Sequence, residues 1–202
     1  NGKRITLNSK GGVVLASGGF NRHAARRANL LPGAHENWSP AGPGHTGLAQ
    51  DLALKAGAQM GTGSLSHAFW APVSIRQRAD GSTASFPHFV MDRGKPGMLT
   101  VDSQGQRYIN ESTSYHLFGL AMQAHHAKTP CIPSWLVCDA GALKRYGLGM
   151  IRPGGKGLAP FLADGYLKKG QTLQDLALQI KVPADQLKAT VERFNSMAQH
   201  GV

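Results

Sequence analysis

In Ala16-Ser17-Gly18-Gly19-Phe20, two glycines directly follow an apolar run. Backbone can then approach a ligand closely and leave amide N–H groups free for anionic oxygens, although a tight turn explains the same residues. Gly44-His45-Thr46-Gly47 opens a second stretch of this kind, where a helix start bracketed by glycine suits contact with a polar ligand edge. His45 reads equally well as a surface histidine or as a ligand contact. Arg107 and Glu111 are spaced for a local ion pair that holds a loop. Tyr115 and Phe118 sit three apart on one predicted helix face, the spacing of a packing pair. A tyrosine is otherwise a poor base, because its phenol titrates near 10. Cys131 and Cys138 do not form a CxxC pair, and no close His pair accompanies them, so no metal site is expected.

The elements that must position these residues follow from periodicity. Val13-Val14-Leu15-Ala16 is a continuous apolar run, as expected of a strand covered on both faces of a parallel sheet. Asn1-Gly2-Lys3-Arg4 leading into Ile5-Thr6-Leu7 reads as a strand already under way, so the natural N-terminus is expected upstream. A short helix is predicted from Arg22 to Asn29, then a loop from Pro32 to Pro43 that is dense in Pro, Gly and Asn. Leu48, Leu52 and Ala56 recur at helical spacing and stop at Gly57. From Phe69 to Val101 the pieces shorten to strands separated by Gly and Pro. A helix starts near Ser112–Ser114 and carries Tyr115, Phe118, Leu120 and Met122, and Trp135 to Val137 reads as a strand. Thr172 with Asp175 forms a capping-box start. Pro183 opens a last helix with Leu187, Val191, Phe194 and Met197 on one face. The pattern is α/β changing to α+β near Gly61–Ser66.

Composition bounds the partners. The chain has 202 residues, enough to bury a core, and 26 glycines, a folded and loop-rich profile. No apolar run approaches the roughly 20 residues of a membrane helix. The formal charge of +11 comes from dispersed residues, with small clusters at Arg22/Arg26/Arg27 and Lys168/Lys169. No basic run is interleaved with aromatics, so nucleic acid is not the expected partner. An anionic substrate, or acidic neighbours beyond this chain, fits the charge better. The cysteine usage suggests a reduced, cytoplasmic protein.

Taken in order, the motifs resemble one family. "VVLASGGF" is similar to the Ala-Thr/Ser-Gly-Gly-Phe segment of the fumarate reductase/succinate dehydrogenase-like flavoproteins. Gly44-His45-Thr46-Gly47 is similar to their Gly-Asn-Thr-Gly element, with His45 as a departure. Gly105-Gln106-Arg107-Tyr108-Ile109-Asn110-Glu111 resembles their Gly-x-Arg-Phe/Tyr-x-Asn-Glu segment, and Asp92-Arg93-Gly94 resembles the turn before it. The C-terminal "TLQDLALQIKVPADQLKATVERFN" looks like their two-helix signature. The resemblance implies part of an FAD-binding domain over residues 1–62 and the inserted capping domain over 63–202. It also implies FAD, bound mainly by segments outside this chain, with contacts at Ala16, Ser17, Gly18, Gly19, Gly44, His45, Thr46 and Gly47. The Gly-x-Gly-x-x-Gly fingerprint is missing, so the isolated chain is expected to bind FAD weakly or not at all and to show no turnover.

The branch is read at three positions. Where fumarate reductases carry an Arg acid this chain has Tyr115, and their His-Pro and relay Glu correspond to Ala71-Pro72 and Val90, with only Arg93 kept. Tyr115 in Asn110-Glu111-Ser112, with Phe118 after it, is similar to the 3-ketosteroid dehydrogenase branch. That similarity implies hydride transfer to the flavin from a carbon–carbon bond next to a ketone, and proton transfer to Tyr115. The implied partners are a small apolar ketone, with a 3-ketosteroid the leading expectation, and the remainder of the FAD domain. Phe69, Trp70, Phe118 and Met122 are either pocket lining or core. The alternatives are a fumarate- or urocanate-type reductase and a non-catalytic capping module.

Overall fold

A computed structural model describes residues 2–31, 33–61 and 64–200. The expected domain boundary at 62/63 and the first residue of the Pro32–Pro43 loop lie outside the described residues. The chain forms two compact units, Asn1–His67 and Ala68–Val202.

The first unit is built on helices α1 (Ala24–Leu30) and α2 (Leu48–Lys55), with a 3₁₀ turn at Glu36–Trp38 between them. His23 caps α1 by accepting from the Arg26 N–H at 3.2 Å. Arg27 is buried and donates to the carbonyls of Asn21 (3.2 Å) and Ala34 (3.0 Å), closing the loop that follows α1. α2 carries Asp51 in its first turn and Lys55 in its last, both favourable to the helix dipole. Two expectations are corrected here. Neither Ile5–Leu7 nor Val13–Ala16 is a strand, and Val13 and Val14 are 80% and 90% exposed. A strand exists only as part of a ladder, and no described residue pairs with either segment. The parallel α/β sheet is therefore not formed among the described residues.

The second unit is α+β. β1 (Val73–Gln77) and β2 (Thr83–Pro87) form an antiparallel hairpin with Ile75 opposite Ser85. Its turn is set by Asp80, whose carboxylate accepts from the Ser82 N–H at 2.9 Å and the Ser82 hydroxyl at 2.6 Å. α3 (Val90–Arg93) follows, then β3 (Leu99–Val101), α4 (Tyr115–His126) and β4 (Trp135–Val137). β3 and β4 pair antiparallel, Thr100 opposite Leu136. α5 (Ala140–Tyr146) and α6 (Ala159–Ala163) are short helices that periodicity did not announce. α7 (Leu173–Ile180) and α8 (Ala184–Gln199) complete the chain.

The main core joins β3 to the last two helices through Leu99, Val101, Ala177, Ile180, Val182 and Leu187. Full burial of each large aliphatic side chain contributes about 1.5–3 kcal/mol. The Thr172–Asp175 capping box starts α7, and Pro183 stands at the N-cap of α8, as their spacing predicts. The Thr190 hydroxyl donates to the Gly105 carbonyl at 2.7 Å, fastening α8 to the turn before Arg107. A smaller core of Leu143, Ile151 and Leu167 holds the glycine-rich stretch after α5 as a loop.

Candidate functional site

In the first unit, the two glycine-bearing turns meet. The Gly47 N–H donates to the Gly19 carbonyl at 3.1 Å, and the Arg22 N–H donates to the His45 carbonyl at 2.8 Å. Gly18 has φ +89, and a Cβ there would sit 3.0 Å from the His45 ring. Gly47 has φ +80, and a Cβ there would sit 2.4 Å from Arg26 Nη1. Both positions favour glycine by their positive φ, and a Cβ at either would also have to displace a neighbouring side chain. Arg26 locks the pair by donating to the Gly47 carbonyl (3.1 Å), Gln50 (3.0 Å) and Asp51.

Ala16, Ser17, Gly18, Gly44 and Thr46 are exposed, while Gly19 and His45 are half-buried and Gly47 is buried. The N–H groups of Ser17, Gly18 and Gly19 find no partner among the described residues. This is an exposed cradle of free amides, closed on one side by an imidazole and stiffened by an ion pair. It fits the polar edge of an anionic cofactor such as FAD.

The second unit holds Tyr115. It is the first residue of α4, 37% exposed, and its ring meets Phe89 edge-on at 5.3 Å. Phe118 takes the opposite role, being 2% exposed beneath the Arg93 guanidinium at 4.1 Å. The two aromatics therefore do not form a packing pair. Arg93 is buried and donates to the carbonyls of His88 (3.0 Å), Thr113 (2.7 Å) and Glu111. Burial lowers its pKa from the ordinary arginine value, and the charges of Glu111 and Asp92 oppose that shift. It acts as a strut for the loop entering α4.

Arg107 and Glu111 form the expected ion pair, Nη2 to Oε2 at 2.7 Å. Glu111 also accepts from the Thr100 N–H at 2.7 Å, so its carboxylate is fully used in structure. Of the expected pocket residues, Phe69 is 83% exposed against His116, and Trp70 and Met122 are half-buried. With Phe118 in the core, the four do not share one pocket.

A hydrogen-bonded chain that the sequence reading missed lies beside this region. His88 joins Asp92 through Nδ1 and the Ser74 hydroxyl through Nε2 (2.8 Å), and Ser74 joins the Tyr166 hydroxyl at 2.7 Å. The i,i+4 spacing of His88 and Asp92 is the one sequence signal for it. Next to it opens a cleft of about 300 Å³, bordered by Phe86, Phe89, Tyr146, Ile151 and Arg152. Among the described residues, no group of three His, Cys, Asp or Glu side chains could hold a metal. No described helix is long and apolar enough to cross a membrane.

The family model described as "FAD binding domain" matches residues 1–202. The chain is 36% identical over 198 residues to the 4-oxocyclohex-2-ene-1-carboxylate 5-dehydrogenase of Sinomonas cyclohexanicum, covering 96% of this chain and 33% of that protein. It is 31% identical to the 3-oxosteroid 1-dehydrogenase of Mycolicibacterium smegmatis, covering 97% and 34%. Among solved structures it is similar to the 3-ketosteroid delta1-dehydrogenase of Sterolibacterium denitrificans in complex with 1,4-androstadiene-3,17-dione. That likeness has a TM-score of 0.75 and 33% identity, covering the whole of this chain and 36% of the other. An open-form flavocytochrome c3 fumarate reductase shares the fold, with a TM-score of 0.53 and 22% identity over 93% of this chain and 29% of that one. The chain thus spans about a third of the length of these relatives.

Proposed function

The chain belongs to the FAD-binding-domain family of flavoproteins, and on that premise we propose that it is part of a longer FAD-dependent dehydrogenase. Its reaction is the oxidation of a carbon–carbon bond next to a ketone in a cyclic substrate. Relatives named for oxosteroids and for oxocyclohexene carboxylates favour a cyclic ketone as the substrate class. In this reading the unit Asn1–His67 is a portion of the FAD-binding domain, and Ala68–Val202 is the capping domain over the substrate.

The residues divide the work accordingly. The free amides of Ser17, Gly18 and Gly19, with Gly44, His45 and Thr46 beside them, receive the cofactor's polar edge. Bound FAD supplies the acceptor for the hydride. Tyr115, acting through its phenolate oxygen, takes the proton from the carbon next to the ketone while the hydride leaves the adjacent carbon for that acceptor, so that two C–H bonds break and one C=C bond and one O–H bond form on this side of the transfer. Phe89 sets the Tyr115 ring from one side, and Arg93 fixes the loop that delivers it. The observation that carries this reading is the exposure of Tyr115 at the start of α4, beside a buried Phe118. Ala71 and Val90, in place of a His and a Glu, argue against the fumarate-reducing alternative.

The test is anaerobic bleaching of the flavin in the complete protein by a 3-ketosteroid and by 4-oxocyclohexanecarboxylate, with Tyr115→Phe in parallel. Bleaching slowed about 10²-fold or more by the substitution is the expected result. An unchanged rate removes Tyr115 from the mechanism. Reoxidation of pre-reduced flavin by fumarate, with no bleaching by any ketone, moves the protein to the reductases.

A further inference from the structure

The cleft beside Phe89 carries more positive charge than its walls use. Arg152 lines it, is exposed, and has no ion pair or hydrogen bond among the described residues. Tyr146, on the same wall, is flanked by two further cations: Lys95 at 5.8 Å and Arg145 at 5.9 Å from its ring centre. The acid that borders the cleft, Asp92, is already engaged. One of its oxygens is held by His88, and the other accepts from the Gly149 N–H at 3.1 Å. Arg152 in the wall, with Lys95 and Arg145 beside Tyr146, sets three cations against the one carboxylate that borders the cleft, Asp92, which leaves a net positive field next to the apolar surfaces of Phe89 and Ile151.

Size narrows the occupant. A volume of about 300 Å³ lies at the low end of small-ligand sites, roughly 300–1,000 Å³. A single ring fits such a space against Phe89 and Ile151, and a carboxylate on that ring would reach the guanidinium, whose planar fork matches it bidentately. The cleft shares Phe89 with Tyr115, so its occupant lies one residue away from the proposed base.

We propose that this cleft is the carboxylate subsite of a small cyclic ketone, and that Arg152 is the residue that selects acidic over neutral substrates. The inference rests on the reading of the protein as a cyclic-ketone dehydrogenase and specifies which ketones it takes. Arg152 is a specificity residue, and Lys95 and Arg145 set the field around it without touching the substrate.

The experiment is calorimetric titration of the complete flavoprotein with 4-oxocyclohexanecarboxylate and with neutral 4-methylcyclohexanone, using wild type, Arg152→Met and Arg152→Lys. Flavin content and melting temperature are measured for each. Arg152→Met is expected to weaken the acid by about 10- to 100-fold and the neutral ketone by less than about twofold. Arg152→Lys is expected to restore part of the loss, and added salt to weaken the acid alone. Equal effects on the two ligands, or none on either, overturn the proposal. So does loss of flavin from Arg152→Met, which would assign the cation to the cofactor. Acid binding that depends on Arg152 without any bleaching supports the subsite and overturns the dehydrogenase reading instead.

Discussion

Arg93 lies over the ring of Phe118 at 4.1 Å while its guanidinium donates to the carbonyl of His88, before α3, and to that of Thr113, in the turn into α4. One buried cation thus fixes α3, the Glu111–Thr113 segment and the first turn of the helix that presents Tyr115. Its partners are neutral carbonyls, so its removal leaves buried acceptors unsatisfied, at about 1–3 kcal/mol each before relaxation. Arg93→Met is expected to lower the stability of the complete protein by about 2–4 kcal/mol. Arg93→Lys should recover little, because an ammonium cannot reproduce the planar fork. Urea denaturation measures both, and a loss below about 1 kcal/mol for the Met variant would remove the strut role.

At the other site the sensitive position is Gly47. An alanine there is strained by φ +80 and pushes its Cβ against the Arg26 guanidinium that holds Gln50 and Asp51. The backbone cost alone is about 1–2 kcal/mol. Gly47→Ala is expected to reduce both stability and the flavin retained per protein. Gly44→Ala, where no atom lies within 4 Å and φ is not positive, should leave stability unchanged. Absorbance at 450 nm relative to 280 nm reads retention, and denaturation reads stability. Equal behaviour of the two variants would refute the distinction.

Local signals carried much of this fold into the sequence. The Thr172–Asp175 box, Pro183 before α8 and the Ser114 start of α4 depend on neighbours a few residues away, and each forms where its pattern points; the strand at Trp135–Val137 forms because Leu99–Val101 pairs with it. The Arg107–Glu111 pair is local in the same sense. Val13–Ala16 behaves differently because a buried strand is defined by the strands beside it, and none of the described residues supplies them. Phe118 and Tyr115 share a helix and a spacing, yet Arg93 buries one and Phe89 leaves the other accessible. The cleft was illegible for a related reason. Arg152 and Phe89 lie far apart in the chain, and the Gly-rich stretch that brings Arg152 there has no periodicity to read.

Alkaline pH offers a test of packing around two groups outside the proposed site. Burial, reinforced by the charge of Asp139, pushes the Cys138 thiol up to about 11. Burial likewise raises Tyr108, against the opposing hydrogen bond from Ser134. Both groups hold their protons longer in the folded chain than in the unfolded one, so folding stability falls as pH rises. For Cys138 the contribution is complete below about pH 9 and is lost as pH climbs through about 11, with Tyr108 extending the loss to higher pH. Denaturation midpoints at pH 8, 9.5 and 11 are therefore expected to decline, and less steeply in Cys138→Ala than in the wild type. The same thiol should alkylate slowly at pH 8 and speed up toward pH 11, since the thiolate is the nucleophile. Fast labelling of Cys138 at pH 8, or equal slopes in the two proteins, would show that burial does not hold this thiol protonated.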